Sequence, residues 1–147
     1  RLENIDLHPL LQKTVQLMEH KARTSDVQIL LELSPEPLLI RADTGQLEQV
    51  LINIIKNAIE AIPDKGTVRI RTTAFPKTLE IADNGTGISK AQEEKLFSPF
   101  FSTKNGGQGI GLTLAREILT AHGWSFSLRT EGDGWTVFWV GLGGGVE

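Results

Sequence analysis

A helix carrying Asn53 and Asn57, a strand running into Asp83-Asn84-Gly85-Thr86-Gly87, and a helix opened by Gly106-Gly107-Gln108-Gly109-Ile110-Gly111-Leu112 follow one another in this chain. Their order constrains the fold more than any one of them does. Glycines at a strand end and at a helix start let the backbone approach a nucleotide where a Cβ would intervene. The first helix is the most sharply defined. Apolar residues stand at 47, 50, 51, 54, 55, 58, 59 and 62, so they share one face. Asp43 reads as its N-cap with Gln46 as capping-box partner, and Pro63-Asp64-Lys65-Gly66 ends it. Beside the apolar face runs a polar stripe of Gln46, Gln49, Asn53, Asn57 and Glu60. Asparagine is a mediocre helix former, so two of them one turn apart ask for a reason. An amide oxygen suits Mg²⁺, which prefers hard oxygen ligands; a solvated face with incidental asparagines fits the stripe as well.

Elsewhere, Leu7, Leu10, Leu11, Val15, Leu17 and Met18 predict an amphipathic helix over residues 7 to 22. Val27 to Leu33 and Pro37 to Ala42 predict two short strands forming a hairpin about Ser34-Pro35-Glu36. Thr67 to Thr73 and Lys77 to Ala82 alternate as strands around Pro76. Ser89 and Gln92 form a capping box opening a short helix. A helix from about Gly111 to His122 closes on Gly123, and strands Ser125 to Thr130 and Trp135 to Val140 flank Glu131-Gly132-Asp133-Gly134. The expected fold is a two-layer α/β (α+β) sandwich, a mixed sheet with helices on one face. The domain is expected to span residues 1–142, with 143–147 as a flexible tail.

A length of 147 residues suits one domain with a substantial core, and 39% hydrophobic and 22% charged residues fit a globular protein. A net charge of −3 with scattered Lys and Arg gives no reason to expect nucleic-acid binding. With Cys 0, disulfides and thiolate metal sites are excluded. No apolar run approaches the ~20 residues needed to span a membrane, so no membrane contact by this domain is expected. The chain opens on Arg1 rather than Met, which reads as a piece of a longer protein.

Each remaining motif has a chemical and a plain reading. Asp83 at a strand end can accept the amino group of a purine while Gly85 and Gly87 keep side chains away; Asn84-Gly85 is also a common turn dipeptide. The start at Gly107-Gln108-Gly109-Ile110-Gly111 exposes N–H groups and the positive end of a helix dipole, an anion site, or it is a loop that needs glycine dihedrals. Lys104 can bring a point charge to a phosphate, or is solvated. Phe97, Phe100 and Phe101 are anchors for a mobile lid or members of the core. His8, His20 and His122 show no ligand spacing and read as ordinary surface or helix-end residues.

Together these pieces resemble the ATP-binding catalytic domain of sensor histidine kinases, within the gyrase/Hsp90/histidine-kinase/MutL superfamily. Gln49 to Ala58 is similar to its N box, and Asp83 to Gly87 to its first glycine box. Phe97 to Lys104 is similar to the F box, Gly107 to Leu112 to the second glycine box, and Gly134 to Phe138 to the closing strand. The likeness covers roughly residues 5 to 142. It implies a Bergerat-type ATP-binding fold, a mixed sheet against three helices, with ATP under a mobile lid over about 84–109. By the same likeness Asp83 contacts the adenine amino group with Thr136 nearby, and Asn57, with Asn53, holds Mg²⁺ bridging the phosphates. The Gly107, Gly109, Gly111 and Leu112 stretch cradles the phosphates, and Lys104 reaches them from the lid.

The hydrolytic relatives place a glutamate where Asn53 stands. An amide is no general base, so the resemblance implies transfer to a protein acceptor rather than ATP hydrolysis. The Phe-Ser-Thr-Lys form at 101–104 looks more like kinases of the nitrogen-regulation type. Two departures stand out. No His-Glu-x-x-x-Pro-like box is present, so the dimerisation helices carrying the acceptor histidine are expected before Arg1; Glu60 stands where many relatives have a basic residue. The implied partners are that helical domain and a response-regulator receiver domain, in the cytoplasm. A nucleotide-sensing pseudokinase and a serine kinase of the anti-sigma type are the alternative readings.

Overall fold

The structure is a computed structural model that describes residues 1–95 and 108–143, the side chains of 108–111 excepted. At its centre lies α2 (Thr44–Glu60), whose expected apolar positions are all buried, with Leu51 1% and Ile55 0% exposed. Asp43 caps it, Oδ1 accepting the Gln46 N–H at 3.0 Å. The capping box expected with Gln46 is replaced at its other half: the Asp43 N–H donates to His122 Nε2 at 3.0 Å. The opposite ring nitrogen, Nδ1, is 2.7 Å from the Ile118 carbonyl oxygen, which holds the ring as the Nδ1–H tautomer. His122 therefore ties two helices together rather than ending one at the surface.

The expected hairpin at 27–42 does not form. β2 (Val27–Glu32) pairs in parallel with β4 (Gly66–Ala74), while β3 (Leu39–Ala42) pairs antiparallel with β1 (Glu3–Asp6) in a separate two-stranded sheet. The connecting polar groups find partners outside any hairpin ladder. Ser34 N–H donates to Thr72 Oγ1 in β4 at 2.9 Å, and Leu38 N–H donates to Asp6 Oδ1 at 3.1 Å. Asp6 also caps α1 (Leu7–Thr24) by accepting the His8 N–H. His8 Nε2 lies 2.9 Å from the same Thr72 hydroxyl, so this histidine too is a link between elements. His20 is exposed, as expected.

The main sheet has five strands in the order β2-β4-β5-β7-β6, with β5 (Lys77–Asp83), β6 (Ser125–Thr130) and β7 (Thr136–Gly141). Only the β2–β4 pair is parallel, so the sheet is mixed, as the sequence predicts. Alternate residues Val68 and Ile70 of β4, Leu79 and Ile81 of β5, and Phe138 and Val140 of β7 face one side and join the core with α1, α2 and α4 (Gln108–Ala121). The single turn α3 (Lys90–Glu93) carries the complete capping box of Ser89 and Gln92. α4 starts earlier than the sequence suggests, at Gln108, so Gly109 and Gly111 lie in its first turn. It closes in a Schellman arrangement: Gly123 has φ 78°, its N–H donates to Thr120 O, and Trp124 N–H donates to Leu119 O.

Candidate nucleotide-binding site

Asp83 is the last residue of β5 and only 5% exposed. Across the sheet it stands directly opposite Thr136, the first residue of β7, which in turn stands opposite Thr130, the last of β6. The strand ends thus present three polar side chains in a row. Above them a cavity of ≈ 360 Å³ opens between sheet and helices, within the range of small-molecule sites. Ile54, Asn57 and Ala58 of α2, Ile81 and Phe138 of the sheet and Leu112 of α4 line it, with Asp83 and Thr136 among the few polar groups. A buried carboxylate in a mostly apolar wall is stable only when donors satisfy it. One is internal: the Gly85 N–H donates to Asp83 Oδ1 at 2.9 Å.

The loop after Asp83 is held against the end of α2. Thr86 N–H donates to the Ala61 carbonyl at 3.1 Å, and Asn84 Oδ1 accepts the Thr67 N–H at 2.8 Å. A Cβ on Gly85 would overlap the Ala61 carbonyl oxygen and lie 2.7 Å from its carbon. Glycine at 85 is thus required by packing on α2, and the residue is not part of the cavity wall, whereas Thr86 and Gly87 are. Gly87 has φ 80°, a conformation that favours glycine, and a Cβ there would come within 3.3 Å of Thr130 Oγ1.

Of the residues singled out from the sequence, Asn57, Asp83, Gly87, Leu112 and Thr136 meet at this one cavity. Asn53 sits one turn back along α2, half-buried and off the described wall. Gly109 and Gly111 lie in the helical turn just before Leu112, where backbone N–H groups lack intrahelical partners. Lys104, Gly107 and the phenylalanines 97, 100 and 101 lie outside the described residues.

Two polar contributors were not among the residues expected at the site: Glu60, known from the sequence only as an acid in place of a base, and Thr130. Glu60 is on the cavity wall, where Lys21 of α1 at 3.1 Å and Lys56 at 3.8 Å pair with it. Thr130 joins the site through its hydroxyl, 2.8 Å from that of Thr136. Thr130 stands directly before the Glu131–Gly134 turn and Thr136 two residues after it, and the strand register, which the sequence spacing does not fix, brings them face to face. Among the described residues no group of three or more His, Cys, Asp or Glu side chains could hold a metal ion, and no helix is long and apolar enough to cross a membrane.

Comparison with known proteins shows the family and the fold. Residues 42–143 match the family described as histidine kinase-, DNA gyrase B-, and HSP90-like ATPase. The signal transduction histidine-protein kinase AtoS of Escherichia coli (strain K12) is 37% identical over 82% of this chain and 20% of its own length. The C4-dicarboxylate transport sensor protein DctS of Rhodobacter capsulatus is 35% identical over 97% of this chain and 22% of its own length. The chain thus spans about a fifth of the length of these relatives. A solved catalytic domain of histidine kinase ThkA, in a nucleotide-free form, superposes with a TM-score of 0.86 at 31% identity, covering 95% of each chain. Full-length ShkA in complex with AMPPNP gives 0.85 at 27% identity, covering 97% of this chain and 31% of that one. With its cavity walled by α2, the ends of β5 and β7, and Leu112 of α4, the chain belongs to the histidine kinase-, DNA gyrase B- and HSP90-like ATPase family.

Proposed function

We propose that the chain is the ATP-binding catalytic part of a sensor histidine kinase, and that it donates the γ-phosphoryl of ATP to a histidine on a helical dimerisation domain outside this sequence. The observation that carries the reading is Asp83, a 5% exposed carboxylate at the floor of a cavity walled largely by apolar side chains, with Thr136 beside it. A buried carboxylate accepts hydrogen bonds only, which suits the 6-amino group of adenine and rejects the 6-oxo group of guanine. Ile54, Ala58, Ile81 and Leu112 offer the apolar surfaces between which a flat base fits.

The donor set fits a metal that arrives with the nucleotide. Asn57 contributes a hard amide oxygen at the cavity wall, and Asn53 stands one turn along the same helix. Such a sparse protein contribution suits Mg²⁺, which takes much of its shell from phosphate and water. Bound there, Mg²⁺ would neutralise charge on the phosphates. The chain's own part is positioning: Asp83 orients the base, Asn57 and Asn53 hold the metal, and the first turn of α4 with Gly107, Gly109 and Gly111 directs N–H groups at the phosphates, joined by Lys104. Asn53 has no titratable group with which to activate water, and this favours transfer over hydrolysis. The parent protein places this part in the cytoplasm, and its phosphohistidine passes the group to a receiver-domain aspartate.

Titrating Mg-ATP into the chain tests the base assignment. Asp83→Asn should weaken binding by about 10- to 100-fold, the loss expected for one charge-assisted hydrogen bond; equal affinities would sink the assignment. Asn57→Ala should weaken binding of Mg-ATP several-fold more than binding of ATP in EDTA. Adding the parent's helical domain with γ-labelled ATP tests the transfer. Acid-labile label on that domain is expected, and an unlabelled histidine or acid-stable phosphoserine would refute it.

A further inference from the structure

We propose that Thr130 is a positioning residue for the base end of this cavity, setting the Thr136 hydroxyl and through it the preference for a 6-aminopurine. The inference rests on the reading that the cavity takes adenine. Thr130 is half-buried at the end of β6 and gathers bonds from three directions. Its Oγ1 accepts the Ile88 N–H at 2.8 Å and lies 2.8 Å from Thr136 Oγ1, and its own N–H donates to Glu93 Oε2 at 3.3 Å. Gly87, just before Ile88, turns its bare Cα toward the same hydroxyl. The side chain thus joins the root of the loop that follows Asp83 to the cavity floor, and the backbone of the same residue holds α3.

The Ile88 N–H is a fixed donor and occupies one Thr130 lone pair. A single proton then lies between the two threonine oxygens. When Thr130 supplies it, the Thr136 proton is released toward the cavity, on the side of its cross-strand neighbour Asp83, which as a carboxylate would accept it. The carboxylate's field favours that direction. Thr136 then helps to hold Asp83 where the 6-amino group of a base can reach it. Without the Thr130 hydroxyl, Thr136 loses its donor and Ile88 N–H loses its acceptor, so both the Thr136 rotamer and the 87–88 backbone loosen. The phosphate end, formed by other elements, is left as it was.

Calorimetric titration of wild type, Thr130→Val and Thr130→Ser with Mg-ATP and with Mg-ITP, whose base has a 6-oxo group, separates this role from a general structural one. Thr130→Val should lose about tenfold in ATP affinity, the scale of one or two neutral hydrogen bonds, and less than about twofold for ITP. Thr130→Ser, which keeps the hydroxyl, should stay within about twofold of wild type for both. Thr136→Val should reproduce the change in ATP-to-ITP ratio, and the double Val variant should add little to either single change. Equal losses for ATP and ITP, no loss at all, failure of Ser to restore binding, or additive single effects would each overturn the proposal. If wild type itself failed to bind ATP, the reading of the cavity would fall and this inference with it; ATP binding that Asp83→Asn weakens and Thr130→Val does not would overturn this inference alone.

Discussion

A Cβ placed on Gly85 would overlap the Ala61 carbonyl, whereas one on Gly132 would meet nothing within 4 Å. The backbone of Ala61 closes α2 and cannot give way as a flexible side chain would. Gly85→Ala should therefore destabilise the chain by at least about 1–3 kcal/mol, the cost of forcing a group into packed structure. Gly132→Ala should be neutral or slightly stabilising, since it narrows the unfolded ensemble without a native clash. Urea midpoints at constant m-value check both; a Gly85→Ala midpoint equal to wild type would refute the packing argument. The contrast also shows how far single residues could be read beforehand. Asp83, Asn57, Gly87, Leu112 and Thr136 were recognisable because each stands in a short ordered motif. The reason for Gly85 was not, because Ala61 lies far along the chain and no local pattern announces their contact. Glu60 was noticed as an acid in an unexpected place, but its pairing with Lys21 depends on how α1 crosses α2.

At the scale of elements, α2 is secured at both ends by residues of other segments. Its first turn is capped by Asp43, whose own N–H is taken by His122 from the end of α4. Its last carbonyls receive Thr86 from the loop after β5. Asp43→Ala removes the side-chain acceptor and should cost about 1 kcal/mol, while Asp43→Asn, an equally good cap, should keep most of it. Thermal and urea unfolding of the two variants decide between this and a cap of no consequence, for which Ala and Asn would behave alike. The helices were legible because a helix carries its own hydrogen bonds and its period shows in the sequence. Strand pairing was not. A strand's alternation states which face is buried but not which neighbour completes its ladder, and so β2 and β3 looked like a hairpin although each pairs elsewhere. β1 escaped notice because Glu3 to Asp6 is short and carries Ile5 as its one partly buried apolar residue.

For the whole molecule, the cavity has no single owner: α2, the ends of β5 and β7, and Leu112 of α4 close around it. A ligand that bridges them binds the folded chain and not the unfolded one, so its binding energy adds to the stability of all three. Mg-ATP at 100 times its dissociation constant should stabilise the chain by about 2.7 kcal/mol, which for a domain of this size raises Tm by roughly 5–10 °C. The pattern across variants is more informative than the shift itself. Gly85→Ala should lower Tm without ligand and still rise on adding Mg-ATP, provided the clash is absorbed away from Asp83. Asp83→Asn should rise far less at that ATP concentration, because weaker binding leaves the site partly empty. Scanning calorimetry of the three proteins with and without Mg-ATP reads this directly. An equal rise in wild type and Asp83→Asn would mean that nucleotide binds elsewhere.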